Sequence, residues 1–222
     1  MQKRNSKNLY LAMIFLAAFI LWTVLLCLLD VNTIGPKNSA VGFSALNQFI
    51  HNLTGVNMPL YTLTDWLGLV PIAFALGFGL LGFAQWLHRK KITLVDCDLF
   101  VLGGFYLVVI AVYILFEYIP INYRPVLING VLEVSYPSST TILVMCVMPT
   151  AIMQFKNRIK NIALRKFVII LITTFILFMV IGRLISGVHW FTDIVGGALL
   201  STGLVMTYNF FTDIKNALDE DV

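Results

Sequence analysis

The chain has 222 residues, of which 59% are apolar and only 12% charged. Its mean hydropathy is +0.89, and a chain so poor in charge cannot keep its apolar surface in water, which excludes a soluble monomer. The formal charge of +4 is too small to imply nucleic acid as a partner. A basic start, with Lys3, Arg4 and Lys7, precedes an apolar run over 9–29. That run is longer than the apolar stretch of a leader peptide and lacks a small-x-small cleavage site, so it is expected to stay as an anchor. Residues 30–65 form the long loop of the chain, in which Phe43, Leu46, Phe49, Ile50 and Leu53 recur at helical spacing. They predict a short amphipathic helix, either at the outer membrane interface or packed on the bundle. Further apolar runs follow at 66–87, 99–118, 139–155, 167–185 and 190–210. Each is about the length that crosses a hydrocarbon core as a helix. The runs are apolar all round rather than alternating, which argues against a barrel. Helices also satisfy their own backbone groups, as lipid demands. The fourth run is short and carries Pro149, which predicts a kink. Trp66, Trp86 and Trp190 fall at expected span ends and read as an aromatic belt, and the polar tail 211–222 is expected to fray. The expected fold is an all-α integral membrane protein of six transmembrane helices, one domain over 1–222.

The cations give an orientation. With an even number of spans both termini share a side. That side takes Lys3, Arg4, Lys7, Arg89, Lys90, Lys91, Lys156, Arg158, Lys160, Arg165, Lys166 and Lys215, while Lys37, Arg124 and Arg183 fall opposite. The bias places both termini in the cytoplasm. The compact chain and short loops suggest a bacterial plasma membrane. Cys27, Cys97 and Cys146 show no paired spacing, so neither disulfide nor zinc is expected.

The polar residues that interrupt the apolar pattern converge on the outer side. Glu117, Tyr123 and Arg124 lie at the end of the third run, Ser138, Ser139 and Thr140 at the start of the fourth, Arg183 near the end of the fifth, and His189 and Asp193 at the start of the sixth. Charges at such depth are costly and usually functional. His189 and Asp193, four apart, share a helix face if the sixth helix begins near 189, and the carboxylate can then accept the imidazole Nδ1–H and free Nε2 for attack. Two guanidinium groups suit the oxygens of a phosphoryl group, and a helix start at 138–140 adds backbone donors. Each residue alone has a plainer reading: an interfacial histidine, a snorkelling arginine, a serine cap, a first-turn acid. Their joint placement carries the case.

Arg183-x5-His189-x3-Asp193 resembles the third signature motif of the type 2 phosphatidic acid phosphatase superfamily, which groups lipid phosphate phosphatases with vanadium haloperoxidase-like proteins. Tyr123-Arg124-Pro125 resembles the end of its first motif, and Pro137-Ser138 the start of its second. The resemblance implies a phosphatase without metal or cofactor, acting on lipid phosphates at the outer leaflet. His189 would form a phosphohistidine and Asp193 would orient it. Arg124, Arg183, Ser138, Ser139 and Thr140 would hold phosphate oxygens. Four positions depart from the family pattern. Glu117 stands where the family has lysine, Ser139 where it has glycine, Thr140 where it has the histidine that resembles a general acid, and Gly182 where it usually has serine. Without an acid a poor leaving group suffers most, by about 10² to 10⁴ in rate. A diphosphate, whose leaving phosphate is a weak base, needs less help. The expected substrate is therefore a lipid diphosphate, polyprenyl or diacylglycerol. The alternative is a catalytically weak relative that binds lipid phosphate headgroups. The roles of Glu117 and Tyr123 stay open.

Overall fold

The structure is a computed structural model that describes the backbone of residues 2–220 and the side chains of 6–214. Among the described residues it is all helical apart from isolated bridges. The helices are α1 (Gln2–Leu28), α2 (Ser44–Thr54), α3 (Met58–Leu67), α4 (Leu69–Arg89), α5 (Cys97–Tyr118), α6 (Ser139–Arg158), α7 (Ile162–Ile185) and α8 (Phe191–Glu220). Six stretches are long and apolar enough to cross a membrane: α1, α3 with α4, α5, α6, α7 and α8.

Local chemistry sets the helix ends. Asn57, Ser138 and Asn161 cap α3, α6 and α7, each accepting a backbone N–H three residues on. The start of α2 has no side-chain cap of its own, because Phe43 sits in the left-handed region. Asp30 supplies it from a distance, accepting from Ala45 N–H at 2.7 Å and Ser44 Oγ at 2.8 Å. Those bonds hold the Asp30 carboxyl below its usual range.

Three expectations change. The second span begins at Met58 rather than 66, because Asn57 caps a helix that Gly68 joins to α4 with little change of backbone angle. The tail does not fray at 211, since α8 continues to Glu220. Trp190 does not belong to an aromatic belt: it is 2% exposed and packs on the His51 ring. Trp66 and Trp86 are exposed. α6 runs on as one helix through Pro149.

α1 and α8 pack antiparallel along their length. Asn8 donates to Asp213 at 2.8 Å, Leu16 rests on Gly203, and Trp22 Nε1 donates to the Thr192 carbonyl at 3.2 Å. α6 is the most buried span and the least apolar. It faces protein rather than lipid, so polar pairs such as Gln154–Tyr208 (3.0 Å) and Thr150–Tyr106 (3.1 Å) are tolerated inside. Far from the α7–α8 turn, Asp96 takes Arg89 at 3.1 Å and Arg158 at 3.6 Å, and the strong basic bias lies at that end.

The predicted amphipathic segment is helical, as α2. It turns Asn47 towards α8, where the amide donates to Thr192 Oγ1 at 2.9 Å and accepts from Thr192 N–H at 3.2 Å. Leu46, Phe49 and Leu53 stay exposed.

Candidate active site

The α7–α8 turn carries the central residue. Past Ile185 the chain reverses through Gly187, whose φ is +67°, and re-enters a helix at Phe191. His189 lies in this turn and is 3% exposed. Its Nε2 stands 3.1 Å from Arg124 Nη1. A guanidinium can only donate, so Nε2 is the acceptor and the ring proton is assigned to Nδ1. Burial first, then the Arg124 and Arg183 charges, hold the imidazole well below its usual range.

Asp193 is completely buried, with Oδ2 3.7 Å from His189 Nδ1. That is the side expected from the four-residue spacing, but it exceeds hydrogen-bond length. Oδ2 accepts the Trp190 backbone N–H at 3.0 Å and Oδ1 accepts from Asn122 at 3.2 Å. Asp193 thus acts as the reach-back arm of a capping box at the start of α8. Towards the imidazole it is a close charge rather than a bonded partner.

Arg124 arrives on a short hairpin between α5 and α6. Asn129 (φ +51°) and Gly130 (φ +79°) make its turn, Ile128 and Val131 exchange backbone bonds, and Arg124 N–H donates to the Glu133 carbonyl at 3.0 Å. The guanidinium is held by Glu133, whose Oε2 is 2.9 Å from Nε, and Nη1 also approaches the Val188 carbonyl at 3.5 Å.

Arg183 is 2% exposed and every N–H is engaged. Nε and Nη2 donate to Thr140 Oγ1 at 3.1 and 2.7 Å. Nη1 reaches the Tyr61 carbonyl at 3.4 Å and Thr64 Oγ1 at 3.3 Å, and Nη2 meets Asp65 Oδ1 at 3.1 Å. Both guanidinium carbons lie over the Tyr61 ring, Arg183 at 5.0 Å and Arg124 at 5.9 Å from its centroid. Tyr61 and Asp65 belong to α3, within the stretch expected to be a loop.

Of the residues singled out in the sequence, His189, Asp193, Arg124, Arg183 and Thr140 come together. Ser138 is adjacent and buried, but its hydroxyl accepts from Thr141 and its N–H donates to the Asp193 carbonyl at 3.0 Å, so it serves the helix cap. Tyr123 contributes a carbonyl to Trp190 Nε1 at 2.8 Å. Ser139 and Glu117 stand apart, lining a narrow cleft with Tyr113, Phe116 and Tyr136 that neither arginine nor His189 lines. Glu117 is exposed, and the carboxylates that pair with the two guanidinium groups are Glu133 and Asp65 instead. Among the described residues no group of three or more His, Cys, Asp or Glu could hold a metal ion.

The strap between α2 and α3 presses on the histidine turn. Asn57 N–H donates to the Ser186 carbonyl at 3.0 Å, and a Cβ on Gly187 would lie 1.8 Å from the Gly55 carbonyl oxygen. Gly187→Ala adds that clash to a left-handed backbone. It is expected to destabilise by about 2 kcal/mol or more and to shift His189. Thermal unfolding in detergent measures the first effect, and unchanged stability would contradict the packing.

A family model described as the PAP2 superfamily matches residues 103–215. No curated protein matches the chain. Among solved structures the chain is similar to a transmembrane PAP2 type phosphatidylglycerolphosphate phosphatase from Bacillus subtilis. The TM-score is 0.57 and the identity 20%, over 92% of this chain and 96% of that one. At that identity the likeness speaks to the fold.

Proposed function

The chain belongs to the PAP2 superfamily, a family of membrane lipid phosphate phosphatases, and from that premise we propose that it hydrolyses lipid diphosphates through a phosphohistidine on His189. The observation that carries the reading is the Arg124–His189 contact of 3.1 Å beside Arg183. A neutral imidazole with its lone pair on Nε2 is presented to a cation that can pass to a phosphoryl oxygen. In the first step Nε2 forms a bond to the terminal phosphorus, and the bond from phosphorus to the bridging oxygen breaks. The lipid monophosphate leaves with that electron pair. Asp193 offsets the positive charge that forms on the ring. Water then attacks the phosphohistidine, inorganic phosphate leaves, and the imidazole regains its lone pair.

The substrate preference follows from Thr140. Its oxygen accepts two N–H groups from Arg183, and a threonine hydroxyl is no acid near neutral pH. A monophosphate must expel an alkoxide unaided, whereas a diphosphate expels a weakly basic phosphate. Purified protein is expected to show kcat/KM for a polyprenyl or diacylglycerol diphosphate about 10² or more above that for the matching monophosphate. Equal or reversed values would end the preference.

A second reading, a headgroup-binding relative with little turnover, is favoured by one observation: Thr140, in the place of the family's acid, is occupied as the acceptor of two Arg183 N–H groups. Phosphate binding without release from either lipid would select it. The positive-inside bias directs the site outward and the termini into the cytoplasm. The exposed Leu46, Phe49 and Leu53 of α2 suit the outer lipid interface. An accessibility assay at an introduced cysteine on the 129–130 turn checks that orientation.

A further inference from the structure

Two carboxylates that no family motif accounts for sit on the two guanidinium groups. Asp65 Oδ1 lies 3.1 Å from Arg183 Nη2, and Glu133 Oε2 lies 2.9 Å from Arg124 Nε. The exposure is one-sided. The arginine side chains are 2% and 9% exposed, while Asp65 is 57% and Glu133 39% exposed. The cations are therefore fixed and the anions are the movable partners. A guanidinium has five N–H donors, and on Arg183 four of its five bonds go to neutral oxygens of Thr140, Thr64 and Tyr61. Asp65 is the charged and exposed exception. Both guanidinium groups lie over the ring of Tyr61, so the two ion pairs share one neighbour.

We propose that Asp65 and Glu133 are built-in anions that compete with a phosphoryl group for Arg183 and Arg124, and so determine which headgroups the site admits. The proposal rests on reading the cluster as a phosphoryl site. With both carboxylates in place, the two arginines offer an incoming anion no surplus charge. A terminal phosphate carries a charge of about −1.5 to −2 at neutral pH and can displace a carboxylate. A phosphodiester carries a single negative charge spread over two oxygens and competes poorly. The distinction matters in a bilayer, whose surface is crowded with phosphodiester headgroups that would otherwise saturate an unmasked arginine pair.

The test uses the full chain in neutral detergent, titrated by calorimetry with inorganic phosphate and, separately, with a short-chain phosphatidylglycerol. Glu133→Gln and Asp65→Asn are nearly isosteric and sit at exposed positions. Each is expected to tighten phosphate binding about two- to five-fold, the range of a partly exposed ion pair. The double variant should gain about tenfold and also bind the phosphodiester, which wild type does not. Unchanged or weaker phosphate binding in the variants overturns the proposal. A weaker Asp65→Asn with lowered thermal stability would make Asp65 a support for Arg183 instead of a competitor. If wild type and variants all fail to bind phosphate, the phosphoryl-site reading falls and takes the proposal with it. Phosphate binding without turnover removes only the catalytic reading.

Discussion

His189→Ala is expected to abolish phosphate release from a lipid diphosphate, lowering kcat by at least about 10⁴-fold, because no other side chain in the cluster can take the phosphoryl group. Asp193 is buried and committed to the Trp190 N–H and the Asn122 amide, and Asp65 and Glu133 are exposed anions whose charge opposes attack on a phosphoryl group. The arginines only donate, and Thr140 and Ser138 have no base beside them. The fold should survive, since Arg124 keeps Glu133 and the Val188 carbonyl when it loses Nε2. Substrate labelled in the terminal phosphate should leave label on wild-type protein that is stable in alkali and lost in acid. His189→Ala should retain none. The pH dependence has a definite sign. The neutral imidazole is the nucleophile, and burial together with Arg124 and Arg183 lowers its pKa below 6.5. Falling pH therefore leaves it active longer than a free histidine, and any acid limb in kcat/KM set by this group in the unliganded site lies below pH 6.5. Undiminished release by His189→Ala would remove the phosphohistidine route.

The residues that were legible in sequence are those whose spacing alone fixes their geometry. His189 and Asp193 face one another because α8 begins between them, and Arg183 lies in the last turn of the preceding helix, so one short stretch brought three members together. Arg124 was legible by its side of the membrane, but its approach to His189 was not, since that depends on a hairpin. The signal for that hairpin was nevertheless present: Asn129-Gly130 between Val126-Leu127-Ile128 and Val131-Leu132 is a strong two-residue turn. Tyr61 and Asp65 were missed because an acid and a glycine within 61–68 depress the local apolarity that marks a span. The start of that helix could have been read from Asn57 and Pro59, a cap followed by proline in the first turn. Trp190 misled for the opposite reason. Its place near a span end suits a lipid interface, yet its indole N–H has the Tyr123 carbonyl inside the protein. Glu117 drew attention as a reversed charge, but spacing along the chain says nothing of the direction in which the end of α5 points.

Thr140→Val is expected to be the most damaging conservative change outside the histidine turn. Thr140 is 9% exposed and accepts two bonds from the buried Arg183. Valine has nearly the same shape and offers no acceptor, so two charged donors lose their partner inside the protein. The expected cost is about 3 kcal/mol, or a fall in Tm of roughly 6–12 °C for a chain of this size. Thr140→Ser keeps the oxygen and should stay close to wild type. The comparison bears on why the family's histidine is missing here. If threonine had merely lost an acid, Thr140→His would restore turnover of lipid monophosphates by about 10² or more. The geometry argues otherwise. An imidazole is larger than the side chain it replaces, enters a nearly closed space, and takes the oxygen from Arg183. Thr140→His is therefore expected to lower stability and to depress turnover of monophosphate and diphosphate together. A selective rise in monophosphate turnover with stability intact would show instead that position 140 remains an acid site and that Arg183 does not depend on it.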